Sequence, residues 1–347
     1  MVALVHGIPI QREFDIKNRF YLEETRYFAI FKYLTFKYMQ NKTLFHINNK
    51  ITDIFYLVDE FCKEFDKTKE GYVLNEKESK KTRNRKFTLS DSEVITILIV
   101  FHLSQTRCLK HFYINYIQKH MQSYFPQTVS YNRFTELHKK VMLPMTIFLQ
   151  LYCLGKCTGI SFIDSTPIRV CHIKREKQHK VFKGFAEKGQ CSMGWFYGFK
   201  LHIVINDKGE ILDFLFTQGN VDDREPLKNK DFHDKLFGKL FADKGYISQT
   251  LFEELFIDGI HLITKIRKNM KGNLMLMNDM ILLRKRVLVE SVNDELKNIC
   301  MVEHTRHRSV DNFLANLIAG LIAYSFLPKK PSLRNEIVDE KRIQTAA

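Results

Sequence analysis

The sequence predicts a mixed α/β protein: an all-helical N-terminal region, then one mixed sheet with helices on its faces. Three observations predict it. Apolar residues recur at helical spacing over residues 47–154. Strand-like alternation follows at 197–205, where Phe199, Leu201, Ile203 and Ile205 share one face. Short β-like runs then take turns with helical runs as far as Phe326.

The elements follow in chain order. Residues 1–45 are rich in aromatic and charged side chains, fit a helix and carry no motif, so they read as an extension of unknown role. Ile51, Ile54, Phe55, Val58 and Phe61 make one apolar helical face, which opens a helical region over 46–155. The polar run 67–86 ends in Lys80-Lys81-Thr82-Arg83-Asn84-Arg85-Lys86 and reads as a linker or DNA-facing arm. Ser90 and Glu93 have capping-box spacing ahead of the apolar run 94–100. Pro126 and Pro144 punctuate the helices that follow, and Ser130 opens another capped helix.

From residue 156 the pattern changes. Residues 159–163 form a β-like run that ends at Asp164. The alternating strand 197–205, the turn Asn206-Asp207-Lys208-Gly209 and the run 211–217 make a hairpin. Residues 239–242 lead into Asp243, 261–265 form another strand, and 282–298 and 312–326 read as helices. A basic tail, 331–347, closes the chain.

Composition narrows the function classes. A length of 347 residues suits roughly two domains, and 45% hydrophobic residues are enough for a sizeable core. Seven scattered cysteines form no disulfide framework, so a reducing cytoplasm is the expected compartment. The start lacks the basic n-region of a signal peptide. The most apolar stretch, 313–327, falls short of the ~20 residues of a membrane span and reads as a core helix. A net charge of +15 and a pI near 9.3 point to a polyanion, nucleic acid before an anionic membrane surface.

Against that basic background three acidic residues stand out. Asp164 and Asp243 each end a predicted strand, where open α/β sheets gather ligands. Glu290 shares a predicted helical face with Arg286 and Lys297. Mg²⁺ prefers oxygen ligands and is typically held by one or two carboxylates plus substrate phosphates. Two ions sharing one carboxylate, each with a private one, need three carboxylates for phosphodiester displacement. Taken singly each signal has a plainer reading. An Asp at a strand end commonly caps a helix or turn, and Arg286 with Glu290 makes an i,i+4 pair worth about 0.2–0.5 kcal/mol.

Further residues carry weaker signals. Arg169, Lys174, Arg175, Lys177, Lys180, Lys183 and Lys188 form a basic insert, and Trp195, the sole tryptophan, follows it. Such cations neutralise phosphates and an aromatic stacks on an unpaired base; the alternative is a solvated loop with Trp195 in the core. Cys171, His172, His179 and Cys191 match no common zinc spacing. His202 is either a polar-face residue or a partner of the carboxylates. Cys108, Cys153 and Cys157 read as buried small residues.

Together these residues carry a resemblance. The motifs are Phe162-Ile163-Asp164-Ser165-Thr166, Gly194-Trp195-Phe196-Tyr197-Gly198-Phe199-Lys200-Leu201-His202, Gly219-Asn220-Val221-Asp222-Asp223-Arg224-Glu225-Pro226 and Ala242-Asp243-Lys244-Gly245-Tyr246. They continue with Arg286, Glu290 and Lys297 and with Arg306-His307-Arg308-Ser309. Over about residues 46–335 the chain resembles the DDE transposases of bacterial insertion sequences, most closely the insertion-sequence-982 family of the IS4-like group. One departure is Leu283, where the wider group has a tyrosine.

The resemblance implies a ribonuclease-H-like catalytic domain over 156–330, with Asp164, Asp243 and Glu290 as catalytic ligands of two Mg²⁺ or Mn²⁺ ions. It implies a helical region that binds terminal inverted repeats. Arg286 and Lys297 would contact the DNA backbone, joined by Lys244, Arg306, Arg308, Lys174, Arg175 and Trp195. The implied reaction is metal-dependent cleavage and strand transfer on double-stranded DNA. The active complex is expected to be a homodimer, nucleoid-associated and without a membrane. A catalytically degenerate DNA-binding protein and a nuclease that cuts without joining are the alternatives.

Overall fold

The computed structural model of the chain describes residues 50–73, 88–265, 275–303 and 307–333. The expectations for residues 1–45, for most of the polar run 67–86, for Arg306 and for the tail beyond 333 lie outside the described residues.

Among the described residues three main helices precede the sheet: α1 (Lys50–Val73), α2 (Asp91–Leu103) and α3 (Tyr131–Phe148). In α1, Ile54, Val58, Phe61 and Phe65 form the buried stripe, and the helix runs through the first residues of the expected linker. The predicted capping box starts α2: Ser90 Oγ accepts from the Glu93 amide at 3.1 Å, and Glu93 Oε2 accepts from the Ser90 amide at 2.7 Å. From Val94 to His102 every residue of α2 is buried, as suits an apolar helix enclosed on all sides. Ser130 caps α3 as expected, but α3 does not stop at Pro144; that residue lies inside the helix and is buried. Packing of α3 against neighbouring helices outweighs the ~3 kcal/mol propensity cost of an interior proline.

Among the described residues the sheet has six strands: β1 (Ile160–Cys171), β2 (Glu187–Cys191), β3 (Gly194–Asn206), β4 (Ile211–Gln218), β5 (Gly238–Ala242) and β6 (Ile260–Thr264). β1 is antiparallel to β3 and parallel to β5, and β5 is parallel to β6. The other edge of β3 is shared end to end by β2 and β4, both antiparallel to it. Helix α4 (Gln249–Ile257) connects β5 to β6. Then come α5 (Met277–Arg284), α6 (Val287–Asp294) and α7 (Val310–Ser325). An antiparallel β4-β3-β1 half joined to a parallel β1-β5-β6 half, with helices on both faces, is the ribonuclease-H-like mixed sheet that was expected.

Side-chain alternation sends the two faces to two cores. Ile163, Val204, Leu240 and Leu262 meet Leu251 and Leu255 of α4. Phe162, Leu201, Ile203 and Phe241 face the other way, into one apolar cluster that takes in α1, α2, α3, α6 and α7. Helix α7 is almost wholly buried and packs on α2 and α3, so the last helix locks the helical region to the sheet. Among the described residues no helix is long and apolar enough to cross a membrane.

Several sequence expectations need correction. β1 does not close at Asp164 but continues to Cys171, because its antiparallel pairing with β3 persists where its parallel pairing with β5 stops, at Phe162. Arg169 therefore belongs to β1, and the basic insert contains strand β2. The single helix expected over 282–298 is α5, a break at Lys285 and Arg286, then α6 and a widened turn over 295–299. Cys108 is exposed. The first residues of the expected tail dock back, with the Leu333 amide donating to the Asp207 carbonyl at 2.8 Å.

Candidate active site

The site lies where β1 and β5 part. Phe162 pairs with Phe241 in the last parallel pair, and Asp164 and Asp243 each lie two residues further on. A period of two returns Asp164 to the face of Phe162; Asp243 follows the end of β5 in extended backbone, and both acids act on the buried Tyr246. Beyond this point the free edge of β1 is served by side chains: Lys297 Nζ donates to the Pro167 carbonyl at 2.6 Å, and the Arg169 amide donates to Glu303 Oε1 at 2.9 Å. Asp243 leads into the single turn Lys244–Tyr246 and is exposed, as is Lys244.

Glu290 comes from α6 on the same side of the sheet. Arg286, at the start of that helix, spans the acids: its Nη2 is 2.7 Å from Glu290 Oε1 and its Nη1 is 3.5 Å from Asp164 Oδ1. Asn293, one turn along, donates from Nδ2 to Asp164 Oδ2 at 3.1 Å. Burial, reinforced by Glu290 and opposed by Arg286, raises the Asp164 carboxyl to about 6. Tyr246 is 1% exposed, its Oη has no hydrogen-bond partner among the described residues, and burial with Asp164 and Asp223 nearby holds its ionisation well above the usual range.

Arg286 thus joins Asp164 to Glu290, while Asp243 follows the end of β5 beside the same opening. Yet among the described residues no group of three or more His, Cys, Asp or Glu side chains is gathered closely enough to hold a metal ion. The geometry supplies a reason, since the Arg286 guanidinium bridges Asp164 and Glu290. The chemistry of the donors still fits a hard divalent cation, with carboxylate oxygens around an opening. Tyr246 Oη and Asn293 Oδ1 are buried polar atoms there without a partner among the described residues.

The other predicted residues are spread around this centre. Lys297, within the widened turn, points inward to Pro167 and Glu303 and is 20% exposed, and burial lowers its proton affinity. Lys174, Arg175 and Arg308 are exposed. Trp195 is 56% exposed rather than in the core, with Lys188 Nζ 4.6 Å above its ring. It walls a cavity of about 400 Å³ together with Gln190, Lys200, Asn220, Asp223 and Gly245. His202 is fully buried beside Thr217, 2.8 Å away, and pairs across the strands with Ser165, so it faces away from Asp164. The sequence assigned no role to Tyr246, Asn293 or Asp223; Tyr246 and Asp223 lie within motifs of the resemblance, and Asn293 carried no signal.

Residues 154–310 match the family model of the transposase DDE domain. The matched segment starts before β1 and ends at the first residue of α7, so Asp164, Asp243 and Glu290 all fall inside it. The chain is also similar to piggyBac transposase as seen in a cryo-EM synaptic complex with hairpin DNA. The identity is 11%, the match covers 84% of this chain and 73% of that chain, and the TM-score is 0.43. No curated protein matches the chain.

Proposed function

We propose that this chain is an insertion-sequence transposase of the insertion-sequence-982 type, which cuts and joins DNA by metal-dependent phosphoryl transfer. The observation that carries the reading is the bridge by which Arg286 ties Glu290 to Asp164 beside the β1–β5 opening, next to which Asp243 leaves β5. The transposase DDE domain match over the same residues supports it.

In this reading Asp164, Asp243 and Glu290 hold two Mg²⁺ or Mn²⁺ ions. When bound, such ions supply Lewis-acid polarisation of the phosphodiester and a nucleophilic oxygen at neutral pH. The protein's own groups do the rest. Arg286 leaves the carboxylates, whose charge it balances in the free protein, and turns its fork to a DNA phosphate. Exposed Lys244 stands beside Asp243, where a scissile phosphate would lie. Lys174, Arg175, Arg308 and the neighbouring Arg306 neutralise phosphates further out. Lys297 reaches DNA only by leaving Pro167; in place, it steadies the free edge of β1. Trp195, stacked under Lys188, offers a face for an unpaired base. The helical region would read the terminal inverted repeats, and a second copy would hold the other DNA end.

The test is a labelled duplex carrying the terminal repeat, incubated with the protein in Mg²⁺ or in chelator, beside Asp164→Asn. Metal-dependent cleavage at the repeat boundary, lost in the variant, is expected. Tight end binding without cleavage in Mg²⁺ or Mn²⁺ would favour a degenerate DNA-binding protein. Because Trp195 is the only tryptophan, quenching of intrinsic fluorescence by single-stranded repeat DNA reports its contact directly.

A further inference from the structure

The motif from Gly219 to Pro226 has no role in the reading above. It leaves β4 through Gly219, whose amide donates to the Gly198 carbonyl at 3.0 Å. A side chain at Gly219 would meet the Glu187 carbonyl at 2.7 Å, so the loop can lie this close to β2 only with glycine there. Asp222 then grips Arg224 through two contacts of 2.8 Å, and Arg224 Nη1 donates to the Ile247 carbonyl at 3.5 Å, just past the turn that follows Asp243. Asp223 reaches the other acid strand: its Oδ1 accepts from Ser165 Oγ at 2.8 Å and from Lys200 Nζ at 2.8 Å. Lys200 also donates to the Val221 carbonyl at 2.8 Å, closing the loop on itself. On its far side Asp223 Oδ2 faces Gly245.

One loop therefore touches both segments that carry the acids at the place where strand pairing no longer joins them. Ser165 adjoins Asp164 in the chain, and Gly245 and Ile247 belong to the segment after Asp243. Without some tie, the mutual repulsion of the carboxylates would favour spreading of the β1–β5 opening. Lys200, 13% exposed, balances the charge that Asp223 brings.

We infer that Asp223 is a positioning residue of the DDE centre: through Ser165 on one side and its loop's contact with the 243–247 segment on the other, it sets the spacing of Asp164 and Asp243 that a divalent cation requires. The inference rests on the proposed reading of those acids as cation ligands. Partners that orient metal ligands typically contribute 10–100-fold to metal affinity.

The test compares wild type with Asp223→Ala, Asp223→Asn, Ser165→Ala and Ser165→Thr in the full chain. Three quantities are measured: Mn²⁺ affinity without DNA from the free-ion paramagnetic resonance signal, the Mg²⁺ concentration for half-maximal cleavage, and the thermal midpoint. Asp223→Ala is expected to weaken Mn²⁺ binding and raise the Mg²⁺ requirement about tenfold or more. Ser165→Ala should move both the same way by less, and Ser165→Thr, which keeps the hydroxyl, should restore them. Asp223→Asn keeps the acceptor for Ser165 but leaves Lys200 without its counter-charge, and should fall between wild type and alanine. Unchanged Mn²⁺ affinity and Mg²⁺ dependence in Asp223→Ala and Ser165→Ala would overturn the inference, whatever happens to the thermal midpoint. If Asp223→Ala does not fold, Ser165→Ala decides, since it removes a single hydroxyl. A wild-type chain that neither binds Mn²⁺ nor cleaves would overturn the catalytic reading and this inference with it; a wild type that does both beside unaffected variants overturns this inference alone.

Discussion

Two groups of buried polar residues can be compared across the molecule. One is the opening between β1 and β5, with Asp164, Arg286, Asn293 and Tyr246. The other is a histidine cluster where α2, α3 and the segment leading into α7 meet: His102, His138 and His307. Both contain buried polar atoms without hydrogen-bond partners among the described residues. In the first, opposite charges face one another at the edge of solvent, and burial raises an acid to about 6. In the second, burial drives neutral rings down, to about 4 for His102 and His138 and about 3 for His307. His102 Nδ1 donates to the Cys300 carbonyl, His138 lies edge-on to Phe134, and His307 lies edge-on to Phe313. The difference separates two uses of burial. The histidine cluster works only while uncharged and serves stability; the acid cluster holds charge, and under the proposed function that charge would draw a cation.

The comparison can be broken most sharply by removing charge from the opening. Asp164→Asn keeps shape and the contact with Asn293, so DNA-end binding should survive while cleavage falls by about 10³-fold or more, read as product per unit time on a labelled duplex. Replacing Arg286 with Lys loses the planar fork that spans Asp164 and Glu290 and should cost cleavage about 10–100-fold, visible in the same assay.

The histidine cluster predicts a stability effect instead. Each ring binds its proton more weakly folded than unfolded, so below pH 6.5 the unfolded chain takes up more protons. Its contribution is complete above pH 6.5 and is lost progressively as pH falls towards about 4, or about 3 for His307. Asp164 and Asp213, both raised to about 6, act with the opposite sign and add stability as pH falls below that value. The histidines prevail if each contributes a few kcal/mol at the acid end. Thermal midpoints should therefore drop between pH 6.5 and 4.5, and His138→Phe should flatten that slope. The smallest effect is expected at Ser90, which caps the helix that carries His102. Ser90→Ala should cost about 1 kcal/mol in denaturant unfolding and leave cleavage at saturating Mg²⁺ unchanged.

How much of this was legible depended on whether a residue's neighbours lie close in sequence. The hairpin of β3 and β4 was readable from alternation, and the capping box of α2 from two residues three positions apart, Ser90 and Glu93. Asp164 and Asp243 were visible as acids closing apolar runs, and Arg286 meets Glu290 across one turn even though the helix breaks beside it. Pro167 hid the outer half of β1, since a proline inside a strand reads as its end; there the proline's carbonyl is taken by Lys297 instead of a strand. Polar β2 has no alternating apolar pattern, and it exists because β3 offers it an edge. The direction of Lys297 depends on the widened turn that contains it, which displaces the residue from ideal helical phase. Asp223 was out of reach, because its partners Ser165 and Lys200 are 58 and 23 residues away in the chain.

The most direct measurement exchanges a carboxylate for a thiol at an exposed position, where folding is least at risk. Asp243→Cys is assayed for cleavage of the terminal-repeat duplex in Mg²⁺ and, separately, in Mn²⁺, which accepts a thiolate more readily. If Asp243 holds a catalytic cation, cleavage should be lost in Mg²⁺ and return in part in Mn²⁺. Wild-type cleavage in Mg²⁺, or equal loss in both metals with end binding intact, would contradict the assignment of Asp243 as a metal ligand.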